Sequence, residues 1–135
     1  MSTELIVKTV LGFYPDVEAI YLFGTYLTPD EHKESDVDIA FLFPHDKAKT
    51  VKNLTVSDCR SALEDVLKRS VDLLNIRTVN TVLQNEIIQE GRLIYEQNKY
   101  AVDEFEMNVM SSYQKLNEER ADILADILET GKILQ

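Results

Sequence analysis

Two aspartates stand two residues apart at the head of an apolar run, Asp36-Val37-Asp38, and a glycine followed by a hydroxyl residue, Gly24-Thr25, precedes them by a ten-residue spacer. On a β-strand, residues i and i+2 project to one side, so both carboxylates of this pair share a direction. Hard carboxylate oxygens suit Mg²⁺, which completes its shell with water and substrate phosphates. A glycine lets the backbone approach a triphosphate closely, and the N–H groups around Gly24 and Thr25, with the Thr25 hydroxyl, can donate to phosphate oxygens. A third acid, Asp72, lies in a later apolar stretch, Ser70 to Asn75. If that stretch pairs beside the one carrying Asp36 and Asp38, three carboxylates gather. Such a group is self-repelling unless cations lie between its members. Two ions about 3.5–4 Å apart would stabilise both the attacking and the leaving oxygen of a displacement at phosphorus. In this reading Asp72 holds the catalytic ion and helps to activate an incoming hydroxyl.

The elements that must position these residues follow from periodicity. Thr3 caps a first helix whose inner side carries Ile6, Val7, Val10 and Leu11, with Gly12 near its end and a turn at Pro15-Asp16. Glu18 to Phe23 reads as a buried strand and 24–35 as a loop. Asp36 to Phe43 alternates, with Asp36, Asp38, Ala40 and Leu42 on one face and Val37, Ile39, Phe41 and Phe43 on the other. A helix over about 55–68 has Ala62, Leu63, Val66 and Leu67 as its stripe. The third strand, Ser70 to Asn75, puts Asp72 and Leu74 on one face. A helix over 78–90 ends at Gly91 as a left-handed cap, Arg92 to Glu96 is a fourth strand, and 99–130 is a long helical pattern with room for one break, ending at Gly131. The fold class is therefore α/β (α+β): a small mixed β-sheet packed with helices and a long C-terminal helix. Residues 1–98 carry the site, and 99–135 form a helical tail packed on that domain, on a partner, or on both.

The bulk properties narrow the function. The chain has 135 residues, 14 basic against 24 acidic, for a net charge of -10. That balance argues against a sequence-independent grip on nucleic acid, which rests on Lys and Arg, and favours a cation site or a basic protein partner. No apolar run is long enough to span a membrane. The N-terminus lacks the pattern of a signal peptide. A single cysteine, Cys59, excludes an internal disulfide and fits a reducing compartment, so a cytoplasmic location is expected.

At Gly24-Thr25, the spacer, Asp36-Val37-Asp38 and Asp72, the sequence resembles the DNA polymerase β-like nucleotidyltransferase superfamily. Its length, and the stretches LFGTYLTPDEHKESDVDIAFLF, SVDLLNIRTVNTVLQNEIIQEGRLIYE and FEMNVMSSYQKL, are similar to the minimal nucleotidyltransferase (MNT) antitoxins of HEPN/MNT toxin–antitoxin pairs. The resemblance implies a polymerase β-like fold and a protein adenylyltransferase that uses ATP and Mg²⁺. Its expected partner is a cognate HEPN ribonuclease toxin, on which a tyrosine hydroxyl receives AMP. By this resemblance Asp36, Asp38 and Asp72 are the catalytic and metal-holding residues, and Gly24 and Thr25 bind the nucleotide. Two departures stand out. The serine usual in the family is Thr25, which keeps the hydroxyl but stiffens the side chain. The Arg and Gly common after it are replaced by Tyr26-Leu27-Thr28-Pro29, so Lys33 and Arg77 become the candidate cations for the triphosphate.

Other residues carry less. His32 and His45 have no partners at zinc spacing, and Cys59 has the setting of an inert helix residue. Tyr21 and Phe23 read as packing residues, and Tyr26 as a candidate nucleotide contact. In the tail, Val102, Phe105, Val109, Leu116 and Ile123 form a stripe, and ADILADIL extends it beyond what a small sheet can cover. That end suits a partner's groove. Two alternatives stay open: a degenerate antitoxin that neutralises by binding only, and a small-molecule nucleotidyltransferase. Against the second, the chain has no added domain to cradle a small acceptor. A polymerase fits least, on size and charge.

Overall fold

In the computed structural model, residues 2–24, 28–29, 36–51, 54 and 57–130 are described. The elements run α1 (Ser2–Phe13), β1 (Ala19–Phe23), β2 (Val37–Leu42), α2 (His45–Ala48), α3 (Asp58–Leu67), β3 (Val71–Asn75), α4 (Thr81–Glu90), β4 (Arg92–Glu96) and α5 (Lys99–Thr130). Among the described residues, no helix is long and apolar enough to cross a membrane.

The four strands form one mixed sheet in the order β3-β2-β1-β4. The central pair, β1 and β2, is antiparallel, as are β1 and β4. The β2–β3 pair is parallel, because the chain returns through α2 and α3 before entering β3; parallel neighbours require such a crossover.

Alternation along β2 sorts the core into two layers. Val37, Ile39, Phe41 and Phe43 join Ile20, Leu22, Val71 and Leu73 beneath α1 (Ile6, Val10) and α3 (Cys59, Leu63). Tyr14, Phe41 and Phe43 pack there as a trio, with ring centroids 5.3 to 5.9 Å apart. On the opposite face Ala19, Tyr21, Ala40 and Leu42 meet Ile76, Ile87 of α4 and Val102, Phe105 and Val109 of α5. The two faces expected of β2 are thus the two observed, and the acids lie on the α4/α5 side.

Several local expectations are corrected. Helix α1 begins at Ser2, so Thr3 lies inside the first turn instead of capping it. The short helix α2 was not foreseen. Helix α3 starts only at Asp58, where the Ser57 hydroxyl accepts from the Arg60 amide. Cys59 and Leu63 are its buried stripe and Leu67 packs partly buried against the same core, whereas Val66 is exposed; the helix ends in a left-handed Lys68. Helix α4 starts at Thr81 with Asn80 as its cap, accepting from the Leu83 amide. Gly91 is extended, not left-handed. A Cβ there would overlap the Ile87 carbonyl oxygen of the last turn of α4, so glycine serves the tight exit from the helix at this position. Helix α5 is continuous over 32 residues.

Candidate active site

Asp38 sits near the start of β2 with a neighbour of consequence on each side. Across the parallel ladder it is in register with Asp72 of β3. Across the antiparallel ladder it pairs with Phe23, the last residue of β1, which leads directly into Gly24. Adjacent strands lie about 4.8 Å apart, so the two aspartates share one end and one face of the sheet. The register is dictated by packing: a one-residue slip of β2 would drive Asp38 into the α1/α3 core and expel Ile39. Asp36 lies just before β2, exposed, and Asp72 is also exposed, while Asp38 is half-buried. Burial, then the charge of Asp72, then that of Asp36 raise the pKa of Asp38 above the usual carboxylate range.

Among the described residues, no three His, Cys, Asp or Glu side chains are placed to hold a metal ion by themselves. Mg²⁺ characteristically takes one or two protein carboxylates and draws the remainder of its shell from phosphates and water. An all-oxygen donor set in which Asp72 and Asp36 raise the affinity of Asp38 for positive charge fits that ion.

Gly24 has a φ of +77°, a conformation disfavoured for residues with a Cβ. A Cβ at this position would overlap Oδ2 of Asp38. The requirement for glycine thus arises within the protein, from the aspartate, and not only from a phosphate approaching the turn. Thr25 and Lys33, like Tyr26 and His32, fall outside the described residues.

Arg77 is not brought to the acids. It follows the far end of β3, and parallel pairing puts that end beside Phe43, five residues and about 15 Å beyond Asp72. Its Nε donates to the Phe43 carbonyl at 2.6 Å, its guanidinium lies 3.5 Å from Glu18, and it stacks over Phe105 at 5.2 Å from the ring centroid. These contacts tie the ends of β2 and β3 to α5, and the expectation of a triphosphate contact is corrected accordingly. His45 is exposed at that same far end. Cys59 is buried, which pushes its thiol up to about 11.

Two features escaped the sequence. The Tyr21 hydroxyl donates to Glu106 Oε2 at 2.7 Å, fixing α5 on the face that bears the acids. Nothing in spacing links residues 85 positions apart. Beside Gly24, a pocket of about 330 Å³ opens between β1 and α4, lined by Phe23, Leu83, Glu86, Ile87 and Glu90. Leu83, Glu86, Ile87 and Glu90 do recur at helical spacing, a signal visible only once α4 is known to lie over β1. Along α5, Val102, Phe105 and Val109 are buried, Leu116 is half-buried, and Ile123, Leu124 and Leu128 are exposed.

A family model described as polymerase beta nucleotidyltransferase matches residues 6–100. The chain is 32% identical over 129 residues to protein adenylyltransferase MntA of Shewanella oneidensis, covering 95% of this chain and 88% of that protein. A crystal structure of a toxin–antitoxin with AMP-PNP matches with a TM-score of 0.77 and 29% identity, covering 95% of this chain and 99% of that one. A chain of the structure of a tri-AMPylated Shewanella oneidensis HEPN toxin in complex with MNT antitoxin matches with a TM-score of 0.72 and 28% identity, covering 94% and 96%. With its sheet order, its glycine turn and its paired strand acids, the chain belongs to the polymerase beta nucleotidyltransferase family.

Proposed function

We propose that this protein is an antitoxin that acts as a protein adenylyltransferase, moving AMP from ATP to a tyrosine hydroxyl of a cognate HEPN ribonuclease toxin in the cytoplasm. The observation that carries the reading is the in-register pairing of Asp38 with Asp72 beside the Gly24 turn. The likeness to a protein adenylyltransferase, and to a structure holding an AMPylated HEPN toxin, supports the choice of nucleotide and acceptor.

Each residue has a part. The backbone around Gly24 and Thr25, with the Thr25 hydroxyl, donates to phosphate oxygens, and Lys33 adds positive charge. Asp36, Asp38 and Asp72 would hold Mg²⁺, which when bound offsets phosphate charge and favours ionisation of the acceptor. The toxin's hydroxyl oxygen forms a bond to the α-phosphorus as the bond between that phosphorus and the bridging oxygen breaks. Pyrophosphate departs with the electron pair. The hydroxyl proton passes to the Asp72 carboxylate or to water. Among the described residues Asp36 and Asp72 stand exposed at the end of the sheet, which favours an acceptor that brings its own walls, as a folded protein does.

Intact-mass spectrometry of the toxin, mixed with this protein, ATP and Mg²⁺, tests the proposal. Gain of whole AMP units is expected, and Asp72→Asn should abolish it. Neutralisation by binding alone is the second reading, favoured by the exposed Ile123, Leu124 and Leu128. An unmodified toxin inhibited equally well by wild-type and Asp72→Asn protein would establish that reading instead.

A further inference from the structure

Strand β3 carries Asp72 at the margin of the sheet: among the described residues it has β2 on one side and no strand on the other. The Val37 amide donates to the Ser70 carbonyl, and the Ile76 amide to the Phe41 carbonyl. Residues 70, 72, 74 and 76 therefore turn their backbone groups toward β2. The N–H and C=O of Val71 face the open edge, where a strand ordinarily leaves them to water or to another chain.

Here they bond to helix α3. Arg60 Nε donates to the Val71 carbonyl at 2.7 Å, and the Val71 N–H donates to Glu64 Oε2 at 3.1 Å. The two side chains stand one helical turn apart, with Arg60 Nη2 3.6 Å from Glu64 Oε2. A donor and an acceptor offered together to one residue's backbone reproduce what an adjacent antiparallel strand supplies. Their base is firm, since Ser57 caps α3 through the Arg60 amide and Cys59 and Leu63 anchor it in the core.

The residue held in this way immediately precedes Asp72. The Val71 carbonyl and the Asp72 N–H belong to one planar peptide unit. With Arg60 on the carbonyl and β2 on the N–H, the tilt of that plane is set, and with it the direction of the Asp72 Cα–Cβ bond. Asp72 is itself exposed, so packing of its side chain contributes little to its aim. We propose that Arg60 and Glu64 are positioning residues for nucleotidyl transfer: by clamping Val71 they hold the Asp72 carboxylate beside Asp38. This assignment rests on the transfer reading above.

Two readouts on the full chain test it: amide exchange at Val71 by NMR, and steady-state AMP transfer to the HEPN toxin with ATP and Mg²⁺. Glu64→Met removes the acceptor at similar length, whereas Glu64→Gln keeps an acceptor oxygen and removes the charge. Glu64→Met should speed Val71 exchange by at least about tenfold. It should lower kcat by at least about tenfold with KM for ATP unchanged. Glu64→Gln should restore most of both. Arg60→Met should repeat the loss of kcat, so it decides the matter should Glu64→Met not fold. Wild-type kcat in the folded Met variants overturns the positioning role while transfer stands. So does a Glu64→Gln protein as slow as Glu64→Met, which would make the charge responsible and not the bond. A wild-type chain that leaves the toxin unmodified overturns the transfer reading and the positioning role with it, whatever Val71 exchange shows.

Discussion

Gly24 presents its Cα directly to Oδ2 of Asp38, leaving no room for a methyl group between them. The turn after β1 and the acid on β2 are therefore one packed unit. Gly24→Ala should lose at least about a hundredfold in AMP transfer, from a displaced carboxylate and a strained positive φ. The strain itself should cost about 1–2 kcal/mol of stability. Thermal melts of Gly24→Ala, Asp38→Ala and the double variant check this. The double variant should be more stable than the sum of the single effects, since the overlap has gone.

Asp38 has its pKa raised by burial and by Asp72 and Asp36. The folded state thus resists ionising a group that the unfolded chain ionises freely, so stability falls as pH rises from the ordinary carboxylate pKa through the raised one. At neutral pH and without divalent ions, Asp38→Asn should melt higher than wild type, on the order of 1–3 °C, while transfer drops by at least about a hundredfold. Asp36→Asn should lose transfer similarly. Melting curves in EDTA and transfer assays in Mg²⁺ measure the two sides. Wild-type transfer by either variant would refute the metal assignment.

Separating catalysis from docking calls for Asp72→Asn and a shortened chain. Removing everything beyond Gln97 would strip Val102, Phe105 and Val109 from the core and orphan the Tyr21 hydroxyl, so the cut belongs later, after Asn117. Asp72→Asn should co-elute with the toxin yet leave it unmodified. The shortened chain should fold, bind ATP as wild type, and bind the toxin at least about tenfold more weakly. Size-exclusion chromatography and calorimetry distinguish these outcomes.

Tyr21 and Glu106 form a part-buried bond across 85 residues. Tyr21→Phe should destabilise by about 1–3 kcal/mol, because the carboxylate loses its donor. Burial, with the hydrogen bond to Glu106 and its charge, drives the Tyr21 pKa well up. Its contribution is therefore complete below pH about 10 and is lost as pH rises beyond that. Chemical denaturation of wild type and Tyr21→Phe at pH 8 and pH 11 should show the gap narrowing at the higher pH.

Much of this was legible in the sequence. Alternation along β2 named its two faces, because burying Val37, Ile39 and Phe41 together forces Asp38 outward. Asp72 was legible for the same reason, between Val71 and Leu73. Arg77 was misplaced because charge alone carries no direction: only parallel pairing of β2 and β3 reveals that it leaves the sheet at the opposite end. The reason for Gly24 was half legible, since a tight turn shows in sequence but the carboxylate lying against it does not. Tyr21–Glu106 and the pocket beneath α4 depend on which helix covers which strand, information that short spacings lack.

Helix α5 has two regimes along one continuous backbone. Its first part is held by the sheet through Val102, Phe105 and Val109, but from residue 117 to 128 nearly every side chain faces solvent. Isolated helical turns are marginal in water, so amide hydrogens there should exchange through local fraying, while those before Val109 await opening of the domain. A partner that settles on the distal turns would extend slow exchange toward Thr130. Its affinity would then include the entropy of ordering them, and helix propensity at solvent-facing positions such as Ala121 and Ala125 would tune toxin binding without touching the toxin.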